Sequence, residues 1–448
     1  MHCCRNCDNS NIDNCHQKKE DTNIMRKMKN SGVAWIGNIP DSWEVKPIRH
    51  FLDERIEKNS NQQVKAILSL SAKEGVTLYN GENHSGNKPR EDLSDYKIVR
   101  KNDIVANSMN ILSGSVGLSN YLGVVSPVYY VYYNRDSNVN NLYYLYYLFQ
   151  CKEFQRGLWG LGNGILVKET ESGSLNTIRT RIPSKRLRMQ LFPSCSKKEQ
   201  DQIVIALDKN TKKIDILISN QEQQIEKLKQ YKQSLITEVV TKGLNPDVPM
   251  KDSGVKWLGK IPNNWQTKKI KYVAKIIDDK YLKGEYNYIA LENIESHSAR
   301  FIKTDSVYDL VGTKMAYSDT VIFGKLRPYL AKVFLVKEIT CVNNEFSVFK
   351  GLEVTNEYLK YFMLGSRFID TVNASTYGTK MPRANIGFIS NLQITIPPFQ
   401  EQQNIANYLD DKCAKIDRLI AIKQEKIDKL NNYKKSLIYE YVTGKKEA

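Results

Sequence analysis

Two segments of the chain imitate motifs that bind phosphate or transfer a methyl group, and each lacks one residue that the chemistry requires. Gly254–Lys260 has the spacing of a phosphate-binding Gly-x-x-x-x-Gly-Lys loop, but Ile261 stands where Ser or Thr must hold the metal ion. Ile396–Phe399 imitates the Asp/Asn-Pro-Pro-Tyr/Phe segment of amino-methyltransferases, but an isoleucine cannot accept a hydrogen bond from an amino group. We therefore predict no catalytic residue in either segment.

Metal and acid–base chemistry also find few suitable residues. The chain has five histidines, so a general base has few candidates. Four of the eight cysteines lie in the first 15 residues, where Cys4 and Cys7 have the C-x-x-C spacing of zinc ligands. Almost no apolar residues surround them to enclose a metal. We therefore predict no metal site and a disordered extension over residues 1–27, with Met25 or Met28 as an alternative start.

The charge of the chain favours a polyanionic partner. Lysine and arginine number 66 against 49 aspartates and glutamates, a formal net charge of +17. No apolar run reaches the roughly 18–20 residues that cross a bilayer, so nucleic acid is favoured over a membrane. Polar loops that combine basic and aromatic residues with glycine are the candidate contacts, although most charged loops are only solvated. The predicted DNA-binding residues are Arg100, Lys101, Asn110, Ser113, Lys168, Lys325, Arg327, Tyr329, Lys380 and Arg383.

Two stretches of sequence, each occurring twice in the same order, must position these loops. Met28–Arg49 and Met250–Lys271 share 12 of 22 residues, and Glu199–Gly243 and Glu401–Lys445 share 21 of 45. The residues between the two stretches do not align between the halves. This pattern predicts one scaffold, used twice, that holds two different recognition surfaces. The first stretch reads as a turn and strand packed by its tryptophans.

The second repeated stretch predicts a long helix with an apolar seam. Apolar residues recur at alternating steps of four and three, which is the a/d pattern of a coiled coil. Lys232 and Lys434 interrupt the seam at equivalent positions and favour a particular register. The natural partner of each helix is the other copy, which predicts an internal pseudo-two-fold; a plain dimerisation coiled coil is the alternative. The seam residues are Ile214, Ile218, Ile225, Leu228 and Leu235, with Ile416, Ile420, Ile427, Leu430 and Leu437.

The divergent regions are predicted to be mixed α/β. Strand character marks 124–133, 320–323 and 333–336, whereas 141–154 and 356–368 read as helices. The fold class is therefore α+β, with two recognition domains separated by two long antiparallel helices. The approach to the first long helix, Leu191–Gln200, is two residues longer up to the glutamate than its copy Ile396–Gln402, which predicts a distorted strand there. The predicted domains are 28–198 and 250–400, the helical regions 199–243 and 401–448, and the linker 244–249.

The repeated motifs resemble the specificity subunit of type I restriction-modification systems. The patterns S-G-V-x-W-[IL]-G-x-I-P-x-x-W, E-Q-x-x-I-x-x-x-L-D, K-I-D-x-L-I and Y-K-x-S-L-I-x-E-x-V-T each occur twice, and Ser113–Tyr133 is also similar. The resemblance covers essentially all of the chain from Met28 onward. The cysteine-rich first 27 residues depart from it.

This resemblance implies a protein that reads DNA and leaves the chemistry to its partners. Each recognition domain would read one half of a split, asymmetric target in double-stranded DNA, and the helices would fix the unread spacer. Two methyltransferase subunits and the restriction subunits would bind to the chain and use S-adenosylmethionine, ATP and Mg²⁺, while the chain itself binds no cofactor. A cytoplasmic location is expected. The alternatives are a coiled-coil assembly protein that does not read DNA, or a standalone DNA methyltransferase or nuclease.

Overall fold

The protein divides into two compact units. The computed structural model describes residues 26–81, 88–163, 181–281, 283–304, 312–378 and 381–448. Unit 1 contains the described residues up to Asp215 together with Leu430–Ala448, and unit 2 contains Ile216–Lys429. Each long helix therefore contributes one segment to each unit. Residues 1–25 of the predicted disordered extension 1–27, with its cysteines, lie outside the described residues, as do Lys168 and Lys380.

The first half of the chain is mixed α/β. Its helices are α1 Ile48–Phe51, α2 Leu142–Gln150, α3 Lys152–Gly157, α4 Ser184–Arg188 and the long α5 Lys197–Lys242. Its strands are β1 Met28–Asn30, β2 Asn38–Pro40, β3 Glu44–Pro47, β4 Leu52–Glu54, β5 Leu68–Ser71, β6 Gly75–Leu78, β7 Lys97–Val99, β8 Ile104–Asn107, β9 Val116–Leu118, β10 Gly123–Val125, β11 Tyr129–Asn134 and β12 Leu191–Ser194.

The second half has the same character. Its helices are α6 Ile270–Val273, α7 Asn356–Leu364, α8 Ser366–Ala374, α9 Ile386–Asn391 and the long α10 Phe399–Val442. Its strands are β13 Met250–Asp252, β14 Lys260–Pro262, β15 Gln266–Lys269, β16 Ala274–Ile277, β17 Asn287–Ile289, β18 Lys314–Ala316, β19 Thr320–Gly324, β20 Val333–Val336, β21 Thr340–Val342, β22 Phe346–Gly351 and β23 Gln393–Ile396. The predicted mixed fold is confirmed.

A four-stranded antiparallel sheet forms the centre of each unit. The strand order is β4-β11-β8-β9 in unit 1 and β16-β22-β19-β20 in unit 2, so the two sheets have the same connectivity. The predicted strand over 124–133 is two strands, β10 and β11, separated at Pro127, which has no N–H to donate to a ladder. The predicted helices over 141–154 and 356–368 each break once, at Cys151 and Gly365.

The repeated tryptophans anchor the core, as the sequence predicts. Trp43 and Trp265 are 1% and 0% exposed, and each indole donates to a glutamate near the start of a long helix. Trp35 packs edge-on against Phe154 and Phe192 in unit 1. Trp35 thus packs the turn between β1 and β2 onto the interior of unit 1, as Trp257 does for the turn between β13 and β14 by its contact with Phe362. Trp43 and Trp265 anchor the segments that follow β2 and β14.

The predicted distortion before the first long helix is wrong. Strand β12 pairs antiparallel with β3 over four residues, as β23 does with β15. Counted from Glu199 and Glu401, the two strands occupy the same positions, so the chain contains no insertion here. The apparent extra length came from matching Pro193 to Pro397, whereas Pro193 lies at the strand position of Thr395.

The long helices are confirmed and are longer than their seam. Helix α5 has 46 residues and α10 has 44, and every predicted seam residue is buried or half-buried. Helix α5 begins at Lys197, close to the predicted start of the helical region at 199, and Ile203 and Leu207 are buried before the first seam residue. Within unit 2 the two helix segments are antiparallel, since Lys232 meets Asp417 and Gln224 meets Lys423.

A buried ion pair explains the lysine in the seam. Lys232 Nζ lies 2.8 Å from both carboxylate oxygens of Asp417, and the two side chains are 6% and 12% exposed. Its counterpart in unit 1 is the pair of Lys434 with Asp215, whose side chains are 29% and 55% exposed. Lys434 lies 202 residues after Lys232, and Asp417 lies 202 residues after Asp215. The same pair therefore occurs in both units, but only that of unit 2 is withdrawn from water.

Candidate nucleic-acid interface

The loop that follows β19 lies beside the segment that precedes α9. Arg327 N donates to Pro382 O at 2.7 Å, and Ala384 N donates to Lys325 O at 2.9 Å. Arg327 has a φ of 51°, which turns the loop sharply before Tyr329. The structure therefore brings together four of the predicted residues, Lys325, Arg327, Tyr329 and Arg383, with Arg327 and Arg383 exposed and Tyr329 44% exposed.

Two more lysines, missed by the sequence analysis, extend this surface. Lys280 forms a strand bridge with Lys314, and the charge of Lys314 acts on Lys325. Burial, with a smaller contribution from Lys314, lowers the pKa of Lys325. We call Lys280, Lys314, Lys325, Arg327 and Arg383 the basic cluster of unit 2. Lys280 and Lys314 were not predicted because they lie in other segments of the chain, apart in sequence from Lys325, Arg327 and Arg383.

Two carboxylates hold the basic cluster in place without neutralising it. Arg383 makes two bonds to Glu345, at 2.7 and 3.2 Å, and Lys314 lies 2.5 Å from Asp278. The bond to Lys314 lowers the pKa of Asp278. Five cations thus face two carboxylates, which leaves an excess of positive charge. The forked geometry that Arg383 shows with Glu345 is also the one that reads O6 and N7 of guanine.

Unit 1 has an equivalent loop after β8. Ile182 N donates to Ser108 O at 3.0 Å, the same bond that Ala384 makes with Lys325 in unit 2. Asn110 and Ser113 are exposed in this loop, and Ser113 Oγ donates to Asn110 O at 2.8 Å. Asn110 therefore lies where Arg327 lies in the other unit, and Ser113 lies where Leu330 lies, one residue after Tyr329.

An arginine in unit 1 escaped the sequence analysis. Arg181 forms a strand bridge with Asn163, as Arg383 does with Tyr377, so the two arginines occupy equivalent positions. Both stand two residues before the residue that caps a short helix, Pro183 and Asn385. That position relative to the cap is the signal that could have identified Arg181.

The remaining predicted residues of unit 1 lie elsewhere. Arg100 and Lys101 occupy the turn between β7 and β8, at the opposite end of β8 from Asn110 and Ser113. Arg100 pairs with Glu57 at 2.9 Å. The structure thus does not gather these two cations with the loop that follows β8.

The two units differ at the positions that could read bases. Lys325 corresponds to Ser108, and Glu345, directly before β22, corresponds to Val128, directly before β11. Unit 1 therefore has no carboxylate at the position from which Glu345 holds Arg383. The same backbone frame presents different donors and acceptors in the two units.

Comparison with known proteins shows what this frame is similar to. Residues 262–432 match the model of the type I restriction modification DNA specificity domain. The chain is 25% identical over 265 residues to the type I restriction enzyme MjaVIII specificity subunit of Methanocaldococcus jannaschii, covering 55% of this chain and 60% of that protein. It is 22% identical over 311 residues to the EcoDI specificity subunit of Escherichia coli, covering 64% and 66%. Over these stretches the chain is similar to type I restriction-modification specificity subunits.

The fold is similar to that of a solved protein. A chain from a solved structure of a type I R-M system, concerned with its assembly and conformational transition, matches 90% of this chain and 98% of its own length. The TM-score is 0.66 at 11% identity, a likeness of fold. The matches to the two curated relatives span less than two thirds of their lengths.

Among the described residues, no helix has both the length and the apolar character needed to cross a membrane. The same residues contain no group of three or more His, Cys, Asp or Glu side chains placed to hold a metal ion.

Proposed function

We propose that this chain is a specificity subunit that reads a two-part site in double-stranded DNA, one part with each unit. The observation that carries the proposal is the pair of equivalent loops, after β8 and after β19, which share a backbone frame but present different side chains. Lysines of the basic cluster would contact phosphates, and Arg383 would contact a base edge. We call each part of the DNA site a half-site.

The partners and their chemistry form the second part of the proposal. Two methyltransferase subunits would bind the chain and methylate adenine, and restriction subunits would add ATP-dependent cleavage. S-adenosylmethionine, ATP and Mg²⁺ would be bound by those partners and not by this chain. The match to the family model and the names of the two relatives support this assignment. We also propose that the protein lies in the cytoplasm with its DNA.

Selection from a random pool of duplexes tests the proposal. The chain assembled with its methyltransferase subunits should enrich two short sequence blocks separated by an unread spacer of constant length. Binding should weaken steeply with salt, because each neutralised phosphate releases counterions. Equal affinity for all duplexes would favour the coiled-coil assembly alternative, whereas methyl transfer or cleavage by the isolated chain would favour the standalone-enzyme alternative.

We expect helix length to set the spacer. One heptad inserted after Gln223 and one after Glu425 preserves the ion pairs Lys232–Asp417 and Lys434–Asp215, because each pair stays on one side of the insertions. A heptad adds about 10.5 Å of helix, which corresponds to up to about three base pairs. The same pool selection should then return a longer spacer with unchanged half-sites; an unchanged spacer contradicts the idea.

A further inference from the structure

The N-terminal part of each long helix carries three polar side chains that bond the domain packed on it. We call these bonds the clamp. In unit 1 the donors and acceptors are Trp43 Nε1 to Glu199 Oε2 at 2.9 Å, Asn141 N to Gln200 Oε1 at 2.7 Å, and Tyr147 Oη to Asp208 Oδ1 at 2.6 Å. The three acceptors lie within about two and a half helical turns and flank the buried Ile203 and Leu207.

Unit 2 has the same three bonds. They are Trp265 Nε1 to Glu401 Oε2 at 3.0 Å, Thr355 N to Gln402 Oε1 at 2.7 Å, and Tyr361 Oη to Asp410 Oδ1. The tryptophan and glutamate are 156 residues apart in unit 1 but 136 residues apart in unit 2. The contact is thus common to both units although the chain between the partners differs in length and sequence.

The glutamine is the centre of the clamp. Gln200 is 1% exposed, and its amide nitrogen donates to Cys195 O at 2.9 Å and Val139 O at 3.3 Å. Gln402 is equally buried and donates to Pro397 O and Glu353 O at 3.0 and 3.3 Å. One side chain therefore ties the helix to the end of the entering strand and to the loop before α2 or α7.

Directional bonds of this kind fix an angle that apolar packing alone leaves free. Apolar contacts are non-directional, whereas a hydrogen bond weakens steeply when its atoms move out of line. Burial, followed by the bond to Asp208, raises the pKa of Tyr147, so its hydroxyl remains a donor at neutral pH. Three bonds that flank the buried apolar stripe of the helix define the orientation of the domain on that helix.

We propose that the clamp residues of the E-Q-x-x-I-x-x-x-L-D motif are positioning residues that fix each recognition domain on its long helix and so limit the spacer lengths that the protein accepts. The inference rests on the proposed function. Because the clamp side chains bond within their own unit and the two glutamines are 1% exposed, we expect the clamp to affect the spacing of the two half-sites and not the bases read within them. One base pair of spacer rotates a half-site by about 35°, which a rigidly held domain rejects.

The test removes one hydroxyl from the clamp of each unit and measures which spacer lengths the protein accepts. Tyr147→Phe and Tyr361→Phe are combined in one chain, and the complex with methyltransferase subunits is titrated with duplexes carrying the site selected by the parent. The duplexes vary either the spacer by one base pair or single bases of the half-sites. Tyr143→Phe, an exposed tyrosine of the same helix α2, is the matched control. Asp208→Leu and Asp208→Asn form a second pair, of which only the asparagine retains an acceptor for Tyr147.

The parent should prefer the correct spacer by at least about tenfold. The double variant and Asp208→Leu should prefer it by less than about threefold, with single-base preferences unchanged, while Tyr143→Phe and Asp208→Asn behave as the parent. Unchanged spacer preference, or an equal loss of affinity for every duplex, would overturn the positioning role. A parent complex without any sequence preference would instead overturn the proposed function itself.

Discussion

Replacing Lys232 by methionine should lower the free energy of unfolding of unit 2 by about 3–5 kcal/mol. The change leaves the carboxylate of Asp417, which is 12% exposed, without the ammonium that meets both of its oxygens at 2.8 Å. Arg300 Nε, at 3.8 Å, is too distant to replace those two bonds. Urea unfolding of the full chain, followed by the transition that involves unit 2, measures the effect.

The other half of the chain supplies the control. Lys434→Met breaks the equivalent pair with Asp215, but these side chains are 29% and 55% exposed, so the loss should stay within about 1 kcal/mol. Combining Lys232→Met with Asp417→Leu should recover most of the stability, since no charge is then left buried. Equal losses for the two single lysine variants would show that burial does not distinguish the two pairs.

Removing three cations of the basic cluster should weaken DNA binding by about two orders of magnitude. In Lys325→Ala/Arg327→Ala/Arg383→Ala, the loss of Arg383 should cost about 1–3 kcal/mol at one base position. The loss of Lys325 and Arg327 should weaken binding to all sequences and make the salt dependence shallower by about two phosphate contacts. Titration of the assembled complex at several salt concentrations separates the two effects.

Lys415→Ala is the control for charge alone. Lys415 is 69% exposed on α10 and pairs with Asp411, away from the basic cluster. Its removal should change affinity by less than about twofold, since a single distant surface charge is screened by salt. If the triple variant kept the base preferences and the salt dependence of the parent, the basic cluster would not be a DNA surface.

The repeated frame could be predicted from sequence because its signals are local. Steps of four and three mark the long helices, and the paired tryptophans mark the turns before each central sheet. The burial of Trp43 and Trp265 and the antiparallel segments of unit 2 confirm those predictions. The helix prediction depends on short-range periodicity and the turn prediction on local residue types, and neither requires knowledge of the tertiary fold.

Which segments of the chain form each unit was harder to predict. Residues from the far end of the chain complete unit 1: Tyr144 Oη donates to Val442 O at 3.0 Å, and Tyr439 Oη donates to Ile36 O at 3.0 Å. No local pattern marks such contacts, because their partners are about 300 and 400 residues apart. The predicted domain bounds, which place 401–448 in a region of its own, remain a prediction.

The binding loops lie between these extremes. Lys325, Arg327, Tyr329 and Arg383 were identified from loop composition, and the structure places them together. Lys280 and Lys314 were missed because they join the cluster through a strand bridge, and Arg181 was missed because its loop is unlike that of unit 2. Composition therefore finds candidate loops, whereas only strand pairing shows which loops share a surface.

The central claim is that two units of one frame read two different half-sites. The most direct measurement repeats the pool selection with the Lys325→Ala/Arg327→Ala/Arg383→Ala variant and compares the two enriched blocks with those of the parent. We expect one block to lose sequence information, while the other block and the spacer stay unchanged. Equal degradation of both blocks, or a single contiguous block in the parent, would contradict it.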